Sequence, residues 1–299
     1  MKKRLLSIVM LIVFAAVVFA GCAQPAPAQS SPATSETPSA SVAPSESAAP
    51  SPSPSESKAP TMIDTIKAKG QLILGTEAQY APYEYHKVTD GKDEIKGMDI
   101  DIAKEIAKEL GVELVIKDLP FDSLLTALTG NKIDLIIAGM EPREDRKKSV
   151  DFSDIYYNAE QGILVRAEDE SKYTTIESLA GKKVGAQLGS TQESILKSQL
   201  KDSKPVVMEK VPDLVLSLST KKVDGVICEA PVASNYVKNY PNLKLSQIKV
   251  VSETPGSAIA VNKGNPEFLA LINSVIKKLN DAGKIAEFFA AADEDSSVK

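Results

Sequence analysis

An α/β fold built on mostly parallel sheets is what this sequence predicts, and three observations predict it. Short apolar runs of strand length alternate with longer stretches whose apolar residues recur at helical spacing. The same alternation then starts again in a second series further along the chain. From about Met62 the composition is globular, and the roughly 230 residues that follow are ample for a two-lobed core.

Taken in order, Leu72-Ile73-Leu74 reads as the first strand. Ile100, Ala103, Ile106, Ala107 and Leu110 fall at helical spacing, with Asp99 placed to cap that helix. Residues 112–116 read as a strand, 122–128 as a helix and 133–138 as a buried strand. The second series has a strand at 184–187, a helix from Thr191, a strand at 206–208, a helix from Pro212 and a strand at 223–227. A later strand at 258–261 is followed by closing helices at 266–279 and 285–289. Open sheets of this kind take ligands at the carboxyl ends of their strands.

The first sixty residues belong to a different regime. Lys2, Lys3 and Arg4 precede an apolar run at 5–20 and then Gly21-Cys22, the pattern of a secretory signal peptide over residues 1–21. The run is too short and too terminal for a membrane-spanning helix. Phe19-Ala20-Gly21-Cys22 resembles a lipobox, with Phe19 where a smaller aliphatic residue is usual. That resemblance implies diacylated Cys22, bearing palmitate-like chains, as the new N-terminus; plain cleavage to a free cysteine is the alternative. Residues 22–60 are almost entirely Ser, Pro, Ala, Thr and Glu after the cysteine, too polar to offset their ordering entropy, and read as a disordered tether. Lipid plus tether gives a protein anchored to the outer face of a membrane rather than spanning it. The tether's length suits an organism with a thick wall, although an inert spacer has the same composition.

Formal net charge is −5 and falls to about −8 without Lys2, Lys3 and Arg4, which argues against a nucleic-acid partner. With two cysteines in the chain and Cys22 lipidated, Cys228 has no partner and reads as a small core residue. The single histidine, His86, lies before a charged loop and reads as a surface residue. No metal cluster or Ser-His-Asp set is visible, so neither metal, cofactor nor enzymatic activity is expected. Gly185-Ala186-Gln187-Leu188-Gly189-Ser190-Thr191 joins a strand to a helix, but lacks the Gly-Lys-Ser/Thr ending of a phosphate loop and the spacing of a dinucleotide fingerprint. What it leaves is a helix start with free N–H groups beside two hydroxyls, suited to a carboxylate.

Several ordered motifs carry a family resemblance. Gly75-Thr76-Glu77-Ala78-Gln79-Tyr80-Ala81-Pro82-Tyr83-Glu84, then Gly97-Met98-Asp99-Ile100-Asp101-Ile102-Ala103, open the series, with Met98 where Phe is usual. Phe121-Asp122-Ser123-Leu124 leads to Asp134-Leu135-Ile136-Ile137-Ala138-Gly139-Met140, Arg146 and Val150-Asp151-Phe152-Ser153. Gly181-Lys182-Lys183-Val184-Gly185 and Val223-Asp224-Gly225-Val226-Ile227 continue it. Together they resemble bacterial solute-binding family 3, the polar amino-acid receptors of ABC importers, from Met62 to about Ala291.

The resemblance implies a periplasmic-binding-protein type II fold, two lobes joined by a two-strand hinge. The expected boundaries are residues 61–157 plus 255–293 for the first lobe and 158–254 for the second, with a polar tail at 294–299. Crossings near 158–162 and 252–256 would form the hinge. It implies a free L-amino acid as ligand and an ABC permease with its ATPase as partners, the receptor itself being a monomer.

Roles follow residue by residue. Arg146 matches the arginine that grips the ligand α-carboxylate; taken alone it reads as a surface helix residue. A guanidinium holds a carboxylate with two parallel bonds, which lysine cannot do. Ser190 and Thr191 match the opposing helix start, giving N–H groups and a hydroxyl to the same carboxylate. Glu229 matches the partner of the α-ammonium, with capping or facing solvent as its alternatives. Tyr80 and Phe121 match two plates around the ligand side chain, Phe121 having core as its alternative. Ala138 and Gly139 match positions whose main chain faces the ligand, and Asp99 falls in the motif among the candidate ligand residues. Glu77 matches the acidic position of cation-selective members. Gln187 and Glu141 depart from the usual residues, and Glu141 either joins the site, faces solvent or pairs with Arg143. Three carboxylates around one arginine favour a basic ligand (Lys, Arg or His), with Gln next. A dehydratase-like enzyme on the same scaffold and a ligand-sensing domain are the competing readings.

Overall fold

The computed structural model describes residues 59–254 and 256–297. The expected signal peptide, Cys22 and nearly all of the tether lie outside those residues.

Helix α1 (Met62–Lys69), opened by a Thr61/Asp64 capping box and closed by Gly70, leads into strand β1 (Gln71–Thr76). A small antiparallel unit follows, made of β2 (Gln79–Tyr80), β3 (Glu84–Thr89) and β4 (Lys92–Lys96). Helix α2 (Met98–Leu110), strand β5 (Glu113–Asp118), helix α3 (Leu124–Thr129) and strand β6 (Leu135–Ile136) come next. The single turn α4 (Glu144–Lys147) and strand β7 (Val150–Tyr157) end this series. The second series runs β8 (Gln161–Arg166), β9 (Lys183–Gln187), α5 (Thr191–Gln199), β10 (Lys204–Met208) and α6 (Val211–Ser219). It continues through β11 (Gly225–Glu229), α7 (Ala230–Asn239) and β12 (Leu243–Leu245). The chain returns as β13 (Ser257–Asn262), α8 (Pro266–Asp281) and α9 (Lys284–Asp295).

Two five-stranded sheets result, in the orders β5-β1-β6-β13-β7 and β10-β9-β11-β8-β12. Strand β1 is parallel to β5 and β6, and β9 is parallel to β10 and β11. One strand in each sheet runs against its neighbours: β13 and β8. Each is the strand that enters its sheet after the chain has crossed from the other one. The crossings lie between β7 and β8 and between β12 and β13, and a bridge from Gln161 to Val250 holds them side by side.

The helical periodicity at Ile100–Leu110 is explained by burial: Ile100, Ala103, Ile106, Ala107 and Leu110 all face the core. Asp99 does not cap this helix. The cap position is Gly97, with φ 132°, where a Cβ would sit 2.0 Å from the Tyr83 carbonyl oxygen. Only glycine fits so close an approach. The expected strand at 133–138 contracts to β6. Ile137 N still donates to Gly75 O at 3.3 Å, but Gly139, at φ 55°, turns the chain away from the sheet. Helix α9 runs on to Asp295, two residues into the expected tail, because the Asp295 carboxylate accepts from Tyr85 Oη at 2.9 Å. One apolar cluster includes Leu72, Ile106 and Phe268 beside the first sheet and Leu214, Val226 and Val232 beside the second. Cys228 is free and buried in it. Among the described residues, no helix is long and apolar enough to cross a membrane.

Candidate functional site

Parallel strands deliver their carboxyl ends to one edge of a sheet, and here those edges face each other. Glu77 follows β1, the turn at 138–141 follows β6, Gln187 ends β9 and Glu229 ends β11. Between them lies a tight cavity of only about 10 Å³. The first sheet contributes Glu77, Tyr80, Glu84 and Phe121, then Ala138, Gly139, Glu141 and Arg146. The second contributes Gln187, Ser190, Thr191, Gln192 and Glu229.

Arg146 is carried on α4 and is 4 % exposed, so it is no surface arginine. Its Nη1 donates to Glu141 O at 2.8 Å, and its Nη2 reaches across to Gly189 O at 3.0 Å. The guanidinium stands 5.4 Å over the Phe121 ring. Half-buried Phe121 therefore packs against the α3 core and supports this cation at once. Burial, with Arg143 adding repulsion, pulls the guanidinium down to about 9. It stays charged at neutral pH, with Asp145 and Glu141 as its nearby anions.

Opposite, helix α5 starts at Thr191, and Ser190, Thr191 and Gln192 at its start line the cavity, where first-turn N–H groups lack helical partners. The Ser190 hydroxyl accepts from Glu193 N at 3.1 Å and donates to Gln187 O at 2.6 Å. The Ser190 hydroxyl is thus engaged in capping.

The carboxyls of Glu229 and Glu77 also line the cavity. Glu229 is 2 % exposed, neither facing solvent nor capping α7 through its side chain, and among the described residues Oε2 has no hydrogen-bond partner. Burial pushes it up to about 8, with the Tyr83 phenol easing the shift. Glu77 is likewise pushed up to about 8, chiefly by burial, and accepts from Gln187 Nε2 at 3.3 Å. Gln187 also donates to Glu209 O at 3.0 Å, so it bridges the two sheets. Tyr80 stacks on Tyr83 with centroids 5.6 Å apart, and its hydroxyl accepts from Glu229 N at 3.2 Å. Gly139 presents its backbone against the Tyr80 ring, where a Cβ would stand 3.5 Å from two ring carbons.

Asp99 is brought near this site but not onto it. Its Oδ2 accepts from Gly139 N and from Tyr156 Oη, both at 2.8 Å, which fixes the 138–141 turn from behind. Its expected place among the ligand residues is corrected to a support. Burial raises it to about 6. Glu141 faces neither solvent nor Arg143, which pairs with Asp145 at 2.7 Å and donates to Ser190 O.

Two lining residues escaped the sequence reading. Glu84 is fully buried, and burial with the neighbouring Asp99 raises it well above the usual carboxylate range. Its signal was the carboxylate between Tyr83 and Tyr85, which the quoted motif contained without a role. Gln192 follows Thr191 in the first turn of α5, the position that accompanies a helix start facing a cleft.

A model of the bacterial extracellular solute-binding proteins, family 3, matches residues 72–291. The arginine-binding extracellular protein ArtP of Bacillus subtilis is 37% identical over 220 residues, 73% of this chain and 84% of ArtP. The ABC transporter glutamine-binding protein GlnH of the same species is 30% identical over 228 residues, 75% of this chain and 81% of GlnH. Among solved structures, the amino acid ABC transporter substrate-binding protein AbpA from Streptococcus pneumoniae, bound to L-arginine, superposes with a TM-score of 0.77. It shares 38% identity and covers 79% of this chain and 100% of its own.

Proposed function

The chain belongs to the bacterial extracellular solute-binding proteins, family 3, and from that premise we propose that it is the substrate-binding component of an ABC amino-acid importer. Its ligand is a free L-amino acid, basic by preference with arginine first, and glutamine next. The observation that carries this reading is the polarity of the cavity. Arg146 and the start of α5 line it together with the carboxyls of Glu229 and Glu77. A carboxylate beside Arg146, an ammonium beside Glu229 and a cationic side chain toward Glu77 would relieve each buried charge in turn.

The reading extends to the whole chain. Residues 61–157 with 255–293 form one lobe and 158–254 the other. Closure on the ligand presents the surface that a permease and its ATPase recognise. Cys22 carries lipid on the extracytoplasmic face, the Ser/Pro tether spaces the monomeric receptor from the membrane, and no cofactor takes part. The receptor reading, rather than an enzymatic one, is supported by the binding-protein relatives, and His86 lies outside the cavity between Asp93 at 2.8 Å and Asp118 at 3.1 Å.

A thermal-shift panel of the twenty amino acids, followed by calorimetry, tests this. L-arginine is expected to raise the melting point most. Stabilisation by none would refute the receptor reading, and stabilisation by acidic or aliphatic ligands alone would refute the basic preference.

A further inference from the structure

A carboxylate buried beside an arginine is expected to pair with it, but Glu141 turns its carboxylate away. Arg146 takes the Glu141 main-chain oxygen instead. Oε1 of Glu141 accepts from Gln161 Nε2 at 2.9 Å, and Oε2 accepts from Ser252 Oγ at 2.5 Å. The Thr191 hydroxyl is a third neighbour that favours the charged form. Gln161 opens β8 directly after the first crossing, and Ser252 lies within the second. Gln161 extends the chain of bonds, its Oε1 accepting from Gln192 Nε2 at 2.8 Å in the first turn of α5.

One side chain rooted next to Arg146 thus fastens both crossings and, through Gln161, the helix start that faces Arg146 from the second sheet. We propose that Glu141 is a positioning residue for capture: it locks the two crossings in the closed arrangement and does not contact the ligand side chain. The inference rests on the amino-acid-receptor reading. It also removes Glu141 from the carboxylates that select a cationic ligand, leaving Glu77 and Glu229. Three donors, from Gln161, Ser252 and Thr191, with the Arg146 charge nearby, partly offset the burial that raises this carboxyl.

The mechanism predicts an effect after encounter, when the lobes have closed, and so in departure of the ligand more than in its arrival. Stopped-flow and calorimetry with L-arginine on the purified wild type, E141A and E141Q read it. In E141A the dissociation rate constant should rise at least tenfold, with the association rate constant within about threefold. E141Q, which keeps the shape and can still accept from one neighbour, should fall between the two. Hydrogen exchange without ligand gives an independent reading, because residues 158–162 and 248–254 should exchange faster in E141A. An unchanged dissociation rate or unchanged exchange at the crossings overturns the proposal. So does a fall in arginine affinity matched by a gain for L-glutamine, which would mean direct contact with the ligand's charge. Wild type that binds no amino acid would refute the receptor reading instead, and the exchange data would still decide the role of Glu141 at the crossings.

Discussion

Burial decides what each charged side chain in the cavity is able to do. Arg146 makes its protein bonds to main-chain carbonyls, Glu141 O and Gly189 O, so its charge is left for an incoming anion. Replacing it with alanine should weaken L-arginine binding at least a hundredfold, about 3 kcal/mol, whatever side chain the ligand has, as calorimetry would show. Retained affinity would refute its role. Lysine at 146 should rescue only part, because a point charge does not offer two parallel bonds. Arg146, Glu229 and Gln187 were legible as cavity-lining candidates because ordered motifs marked Arg146 and strand ends marked Glu229 and Gln187. Glu84 was not, since a carboxylate in a charged stretch reads as solvated until the fold buries it completely. Asp99 was assigned to the wrong task, because its distance from the cavity depends on how the 138–141 turn lies over it.

Elements with a one-sided apolar pattern were read close to their true bounds, α2 and α8 above all, since burial on one face is written at helical spacing. The β3–β4 hairpin was missed. Its residues are mostly exposed and charged, so no alternation marks it, although Asp90-Gly91 at φ 51° and 77° supplies the turn. Strand β6 was read too long because the apolar run at 135–138 continues after the ladder stops. At this scale the capping of α5 can be tested directly. Ser190→Ala removes the acceptor for Glu193 N and should cost about 1 kcal/mol in urea unfolding. It should also weaken arginine binding severalfold, because the same turn aims the N–H groups. Unaltered stability would show that the cap is replaced by water without loss.

Across the whole molecule, the buried carboxyls couple binding to pH. Glu77 and Glu229 are both pushed up to about 8 in the empty cavity, mainly by burial. At neutral pH they are therefore largely protonated, and an entering cation ionises them and releases protons. Affinity for L-arginine should climb from about pH 6 to about 8.5, and calorimetric enthalpies at pH 7 should differ between phosphate and Tris. Equal enthalpies would show that no proton is exchanged. The stability sign follows from the same shifts. A carboxyl raised in the folded state favours folding below its unfolded value of 4.5 and loses that contribution as pH rises through about 8. For these two groups the unliganded melting point should fall across that window, and bound arginine should restore it.

Strand β13 lies between β6 and β7 inside the first sheet, yet it is the last strand of the described residues. Every strand of the second sheet falls between Gln161 and Leu245. A ribosome therefore delivers the whole of the second sheet before an interior strand of the first. Until residue 262 has emerged, β6 and β7 hold open edges that only β13 can fill, an exposed template for wrong pairing. The half of the protein synthesised first is thus the half that finishes folding last, and a chaperone that shields nascent strands has most to protect there.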